Sequence, residues 1–255
     1  MPPFAPVSLS LSLPPDASGQ GHYVDSVFGY LTVATGICFG VLASVFLVAI
    51  VLHRGPRRVA RYTHGTSARD RWPAVVAGAV VLFGVDAVAL VRSTGALRAG
   101  FWSYPDGDPN AVRVEVTAQQ WAWNFRYPGA DGIFNTADDV VTLNDLRAPI
   151  GRPLYLQLTS KDVVHSLYLP NFRTKIDAVP GSVTRMWVDP RQLGTFEIGC
   201  AQHCGAWHYK MRGELTVMDA DAFARWQTQA RADAALRFDP LDNPAHDGWA
   251  WMPAR

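Results

Sequence analysis

The sequence predicts a two-helix transmembrane hairpin followed by an all-β sandwich, and three observations carry that reading. Two long apolar runs fill the first part of the 255 residues, short alternating segments fill most of the rest, and a ligand-rich loop, GCAQHCGAWHYKM, lies near the end of the alternating part. The expected organisation is an external segment 1–26, a helical hairpin 27–92, a β domain 93–219, and a C-terminal helix and tail 220–255.

Val27 to Leu52 reads VFGYLTVATGICFGVLASVFLVAIVL without a charge, longer than the roughly 20 apolar residues that cross a bilayer as a helix. Core helices of soluble proteins rarely stay uncharged over such a length. Trp72 to Val91 is a second run of spanning length that carries Asp86. A carboxylate at membrane depth is costly, and Asp86 is read as facing a partner helix. The intervening loop holds Arg54, Arg57, Arg58, Arg61, Arg69 and Arg71 against Asp70, whereas residues 1–26 contain no Lys or Arg. The positive-inside rule therefore places the loop in the cytoplasm and both termini outside. Without a basic n-region, the first helix reads as a retained anchor rather than a cleaved signal.

After Tyr104 the pattern changes to period two. Segments 112–116, 154–158, 182–188, 195–198 and 214–218 read as short strands separated by Gly/Pro/Asp turns, which is the signature of a β-sandwich or barrel of about 100 residues. Residues 225–236 read as a surface helix, and the tail with Trp249 and Trp251 has no clear periodicity. The stretch GADGIFNTADD, 129–139, is read as a solvated acidic turn, because its spacing is not that of an EF-hand calcium loop.

A formal net charge of +1, with no basic run interleaved with aromatics, gives no footprint for nucleic acid. Of the three cysteines, Cys38 lies in an apolar run, and the spacing of Cys200 and Cys204 is neither a thioredoxin-type CxxC nor a haem-attaching CxxCH. No orienting residue or oxyanion motif accompanies the thiols, so a Cys/His hydrolase is excluded. The chemistry left is metal binding. Thiolate with thioether selects copper over zinc, so Met211 argues against a structural zinc. Two thiolates between two imidazoles suit two coppers bridged by both sulfurs. His208 supplies one imidazole, His203 would have to point away, and KDVVHSLYLPNF offers His165 as the second.

Two apolar runs, then QQWAWNF, KDVVHSLYLPNFRTKIDAVPG and CAQHCGAWHYKM in that order, resemble subunit II of the haem-copper cytochrome c oxidases, over roughly residues 25–230. The resemblance implies a cupredoxin-like sandwich holding a dinuclear copper centre, CuA. By position its ligands are His165, Cys200, the backbone carbonyl of Gln202, Cys204, His208 and Met211. It further implies electron uptake from cytochrome c at Trp121 and transfer to haem in subunit I, where haems, copper B, oxygen reduction and proton translocation belong. Arg173 and Asp177 fall where the family meets subunit I. Other oxidase subunits and membrane lipid are the remaining implied partners, and the location is the bacterial inner membrane with the copper domain outside. Asp131, Asp138 and Asp139 are candidate rim charges for a basic donor.

The match has departures. Gln202 stands where the family usually has a glutamate. A backbone carbonyl survives that change, but a magnesium ion at the subunit I boundary would lose an anionic ligand. Arg69 stands where a glutamate marks a proton-uptake route, with Asp70 the nearest carboxylate. Two other readings compete. A quinol oxidase subunit would lack the ligands, and a membrane-anchored copper-delivery protein would need them labile and exposed.

Overall fold

The computed structural model describes residues 13–55, 65–136 and 138–237. Arg57, Arg58, Arg61, Trp249 and Trp251 lie outside them. The chain divides into two compact units, residues 22–103 and the remainder.

The first unit is helical: α1 (Gly21–His53), α2 (Ala68–Val80), a π-helical stretch (Val81–Asp86) and α3 (Ala87–Gly100). The last three form one continuous apolar rod, and both it and α1 are long and apolar enough to cross a membrane. Phe39, Val45, Phe46, Ile50, Phe83 and Leu90 are all exposed. Apolar side chains that face outward all round a helix call for lipid, since each would gain about 1.5–3 kcal/mol on leaving water. Ser67 caps the second helix, its hydroxyl accepting from the Asp70 amide. The π stretch loosens the backbone ladder, and the Tyr30 hydroxyl of α1 donates to the Gly84 and Val85 carbonyls at 3.0 and 3.2 Å. Asp86 closes that stretch with its side chain exposed.

The second unit is a two-sheet sandwich. One sheet has the order β3 (Val140–Leu143), β2 (Ala122–Tyr127), β1 (Val112–Gln119), β5 (Leu154–Ser160), β8 (Thr184–Val188). The other has β4 (Asp145–Pro149), β10 (Arg212–Met218), β9 (Gly194–Cys200), β6 (His165–Leu169), β7 (Thr174–Ala178). The five expected strands are β1, β5, β8, β9 and β10. The other five are short or carry polar residues, and pairing with neighbours decides them more than propensity does. Val114, Val116, Trp123, Phe125, Leu156, Leu158, Leu167 and Ile198 fill the space between the sheets.

Three segments close over this core in ways the periodicity did not reveal. Residues 13–20 lie along the sandwich: the Ala17 amide donates to the Asn171 carbonyl, the Arg191 amide to the Ala17 carbonyl, and the Gln20 amide group bonds both ways to the backbone at Trp187 and Asp189. Helix α4 (Ala220–Arg237) starts on Asp219, whose carboxylate accepts from the Ala222 amide. It is not merely a surface helix, because Phe223 and Trp226 pack on Tyr127 and the Arg147 guanidinium covers the Trp226 ring.

The acidic turn differs most from expectation. Glu115 and Arg126 are cross-strand partners on β1 and β2, both 3% exposed, with 3.5 Å between guanidinium and carboxylate. The 129–139 segment roofs them. Asp139 adds a second carboxylate 3.7 Å from Arg126, Asn135 accepts from the same guanidinium, and Phe134 lies beneath Arg113. Carboxylate-to-amide bonds fold the turn on itself, Asp138 to Ala130 and Asp139 to Asn135. Asp139 is thus an internal counter-charge and not a rim charge.

Removing the guanidinium strands two buried carboxylates, so Arg126→Met should destabilise the chain by about 3–5 kcal/mol near pH 8. Burial already pushes Glu115 from 4.5 up to about 7 and raises Asp139. The folded chain therefore holds protons that the unfolded chain has released, and stability associated with these groups is lost as pH rises through about 7. The Arg126→Met deficit should shrink toward pH 5. Urea denaturation of the solubilised chain at both pH values checks this, and an equal deficit at both would contradict it.

Candidate metal centre

The centre is built by one strand pair and one loop. β6 begins at His165 and β9 ends at Cys200, and the strands run antiparallel with Leu167 opposite Cys200. The Ala201 amide donates to the Ser166 carbonyl at 2.9 Å, holding the loop's start against β6. The chain then turns through Cys204 and Gly205 into a short 3-10 turn at His208–Lys210, closed by amide donation from His208 to Gly205 and from Met211 to His208. Ligating atoms of His165, Cys200 and Cys204 all fall within 4.8 Å of one another.

The two sulfurs lie 3.8 Å apart, and the other donors crowd around them. His165 Nδ1 lies 3.1 Å from Met211 Sδ, which is 3.7 Å from Cys204 Sγ. His208 Nδ1 lies 3.5 Å from Cys204 Sγ, and the Gln202 carbonyl oxygen 3.2 Å from Cys200 Sγ. His165, Cys204 and Met211 are buried, whereas His208 is half-buried. Burial opposes ionisation of Cys200, but hydrogen bonds from His165 and the backbone of Ser166 and Gln202 outweigh it and lower the thiol. Burial and the charge on Cys200 push Cys204 up. A bound cation would take both sulfurs as thiolates, displacing the proton held on Cys204.

An outer layer fixes the imidazole. Asp162 accepts from His165 Nε2 at 2.8 Å, leaving Nδ1 to face the sulfurs. Asp162 is itself held by the amides of Gln120 and Val163 at 2.7 and 2.6 Å. Trp123 meets the His165 ring edge-on at 6.1 Å. The Gln120 side chain donates to the Cys204 carbonyl at 2.7 Å. Gly205 has φ +121°, and a Cβ there would sit 2.7 Å from Gln120 Nε2 and 3.3 Å from Trp121 Cζ2. Only glycine permits so close an approach at that backbone angle.

A family model for the periplasmic domain of cytochrome c oxidase subunit II matches residues 112–217. The alternative cytochrome c oxidase subunit 2 of Bradyrhizobium diazoefficiens is 33% identical over 239 residues, covering 82% of this chain and 83% of that protein. This chain belongs to the cytochrome c oxidase subunit II family. Cytochrome c oxidase subunit 2 of Thermostichus vulcanus is 33% identical over 185 residues, covering 72% of this chain and 54% of that protein. The solved periplasmic domain of subunit II of cytochrome oxidase of Bradyrhizobium japonicum aligns at 26% identity with TM-score 0.44, covering 49% of this chain and 96% of its own.

In this subunit II, His165, Cys200, Gln202, Cys204, His208 and Met211 converge, and the Gln202 side chain is exposed. His203 is exposed, its ring edge-on to His208 at 5.5 Å. Trp121 is half-buried over Gly205, beside the cluster. Arg173 binds the Pro170 and Pro14 carbonyls, and Asp177 is exposed on β7. Sequence reasoning passed over Asp162, Gln120, Gly205 and Trp207. For Asp162 a signal existed, a carboxylate three residues before a candidate ligand imidazole in a turn.

Because such outer carboxylates typically carry 10- to 100-fold of metal affinity, Asp162→Ala should loosen a metal ion bound at this site by about that factor while the far-ultraviolet dichroism stays unchanged. Competition with a chelator measures it, and wild-type retention would argue against the orienting role.

Proposed function

We propose that this chain is the electron-accepting subunit of a respiratory cytochrome c oxidase. Its dinuclear copper centre, CuA, would be held by His165, Cys200, the Gln202 carbonyl, Cys204, His208 and Met211. The observation that carries this reading is the donor set itself: two thiol sulfurs 3.8 Å apart, with two imidazoles, a thioether and a backbone carbonyl close around them. With metal–thiolate bonds of about 2.3 Å, as for zinc, two sulfurs shared by two ions must lie closer than about 4.6 Å, and these do. Soft sulfur donors with imidazole suit copper. When bound, the pair would take up one electron at a time from a cytochrome c and release it to haem in subunit I, where haems and copper B reduce oxygen with proton translocation.

This chain's own residues supply the frame. The strand pair fixes His165 against Cys200, Asp162 holds the imidazole, and burial of His165, Cys204 and Met211 keeps water away, so donor positions change little between redox states. Trp121, resting on Gly205 next to Cys204, lies on the proposed path by which electrons enter. The two apolar helices would anchor the chain in the inner membrane, with the arginine loop in the cytoplasm and both termini and the β domain outside. A copper-delivery role is disfavoured by the same burial, since exchange needs accessible ligands. A quinol oxidase subunit is disfavoured by the presence of the thiols.

Replacing a bridging thiolate with a hard, weakly acidic hydroxyl should destroy a shared pair. Cys200→Ser is therefore expected to abolish the delocalised mixed-valence signal in electron paramagnetic resonance and to leave at most one copper per chain. Persistence of that signal would overturn the dinuclear reading.

A further inference from the structure

The loop GAWHYKM places an aromatic on each side of His208, and one of them lies against Trp121. Trp207 is 56% exposed, whereas Trp121 is half-buried with its ring nitrogen enclosed. Their ring centroids lie 5.1 Å apart at 39°. Trp121 also lies close to Gly205, which is bonded to Cys204. These contacts link Cys204, Gly205, Trp121 and the exposed Trp207. Trp207 is not a loose side chain on a frayed loop. Its carbonyl accepts from the Lys210 amide at 2.9 Å, and the Lys210 ammonium lies 5.6 Å from its ring centre.

We propose that Trp207, rather than Trp121, is the outermost aromatic of the electron path, the side chain a donor's haem edge touches. This rests on the electron-accepting reading above and names the residue that meets the donor. Single exposed aromatics are ordinary on protein surfaces. Here, however, Trp207 and Tyr209, 56% and 66% exposed, flank His208, and the Trp207 ring lies against Trp121, which in turn lies against Gly205 beside Cys204. Large aromatics surrounded by near-neutral contacts are the side chains that dominate protein interfaces once desolvated. The partner this face fits is a haem protein with an apolar exposed haem edge. Electron tunnelling falls steeply with distance, so a donor held on the exposed Trp207 couples through two adjacent rings, whereas the half-buried Trp121 offers less of its ring to a donor. One electron leaves the ferrous donor and is taken up by the oxidised site. The rings mediate and are themselves neither oxidised nor reduced, and no proton moves.

Two measurements test this. In metal-free full-length chain, hydroxyl-radical footprinting read by mass spectrometry should show Trp207 heavily labelled and Trp121 protected, with labelling of Trp121 rising several-fold in Trp207→Ala. In the assembled oxidase, with mitochondrial cytochrome c as donor, Trp207→Ala should slow electron uptake by about ten-fold or more, with an unchanged copper spectrum, and Trp207→Phe should recover most of the rate. Unchanged Trp121 labelling in Trp207→Ala would overturn the covering role. Uptake slowed by Trp121→Ala but within about two-fold of wild type in Trp207→Ala would show that electrons bypass Trp207. If neither variant slows uptake while the copper spectrum is intact, the electron-accepting reading of this face fails as well.

Discussion

The centre depends on one register, the antiparallel pairing of β6 with β9. That pairing sets Leu167 opposite Cys200 and brings His165 to a thiol 35 residues away. A slip of one residue would turn every side chain of the strand to the other face, sending His165, Leu167 and Leu169 outward together and turning Ser166 and Tyr168 inward. Buried leucines on β6, Leu167 and Leu169, and Ile198 on β9 make such a slip costly. Hydrophobic patterning in the second sheet thus protects the position of the imidazole without touching it.

Polar groups inside the domain obey the complementary constraint. Glu115 and Arg126 are cross-strand neighbours on a face that would otherwise be wet, and the 129–139 segment dries it. Taking two charges from water is offset only when geometry and further partners are good. Asp139 and Asn135 supply those partners. Around the sulfurs the same logic holds: Asp162 satisfies His165, Gln120 satisfies the Cys204 carbonyl, and Gly205 leaves room for a tryptophan. The residues that converge on the sulfurs are therefore held by strands and hydrogen bonds rather than by loop stiffness alone.

The helical unit follows another solvent. Its side chains are apolar all round, and the one hydroxyl bond that crosses between its helices among those described, from Tyr30, goes to carbonyls loosened by the π stretch. In hydrocarbon an unpaired carbonyl is expensive, so a tyrosine opposite a π turn stabilises both.

By itself the sequence determined what is local. An uncharged apolar run is a membrane helix because its partitioning depends on composition rather than on distant contacts. Cys200, Cys204, His208 and Met211 advertise a soft metal because ligand chemistry and short spacing do not wait for a fold. Period-two runs in β1, β5, β8, β9 and β10 announced a sandwich for the same reason. Tertiary structure alone decided what is non-local. It brought Asp162 onto His165, laid Trp207 on Trp121, paired the polar strands β2, β3, β4, β6 and β7, and folded the acidic turn over Arg126. These are contacts between surfaces that exist only after the sheets assemble. Charge and aromaticity in a linear string do not distinguish a side chain facing water from one facing a partner, because the free energy that separates the two comes from neighbours distant in sequence.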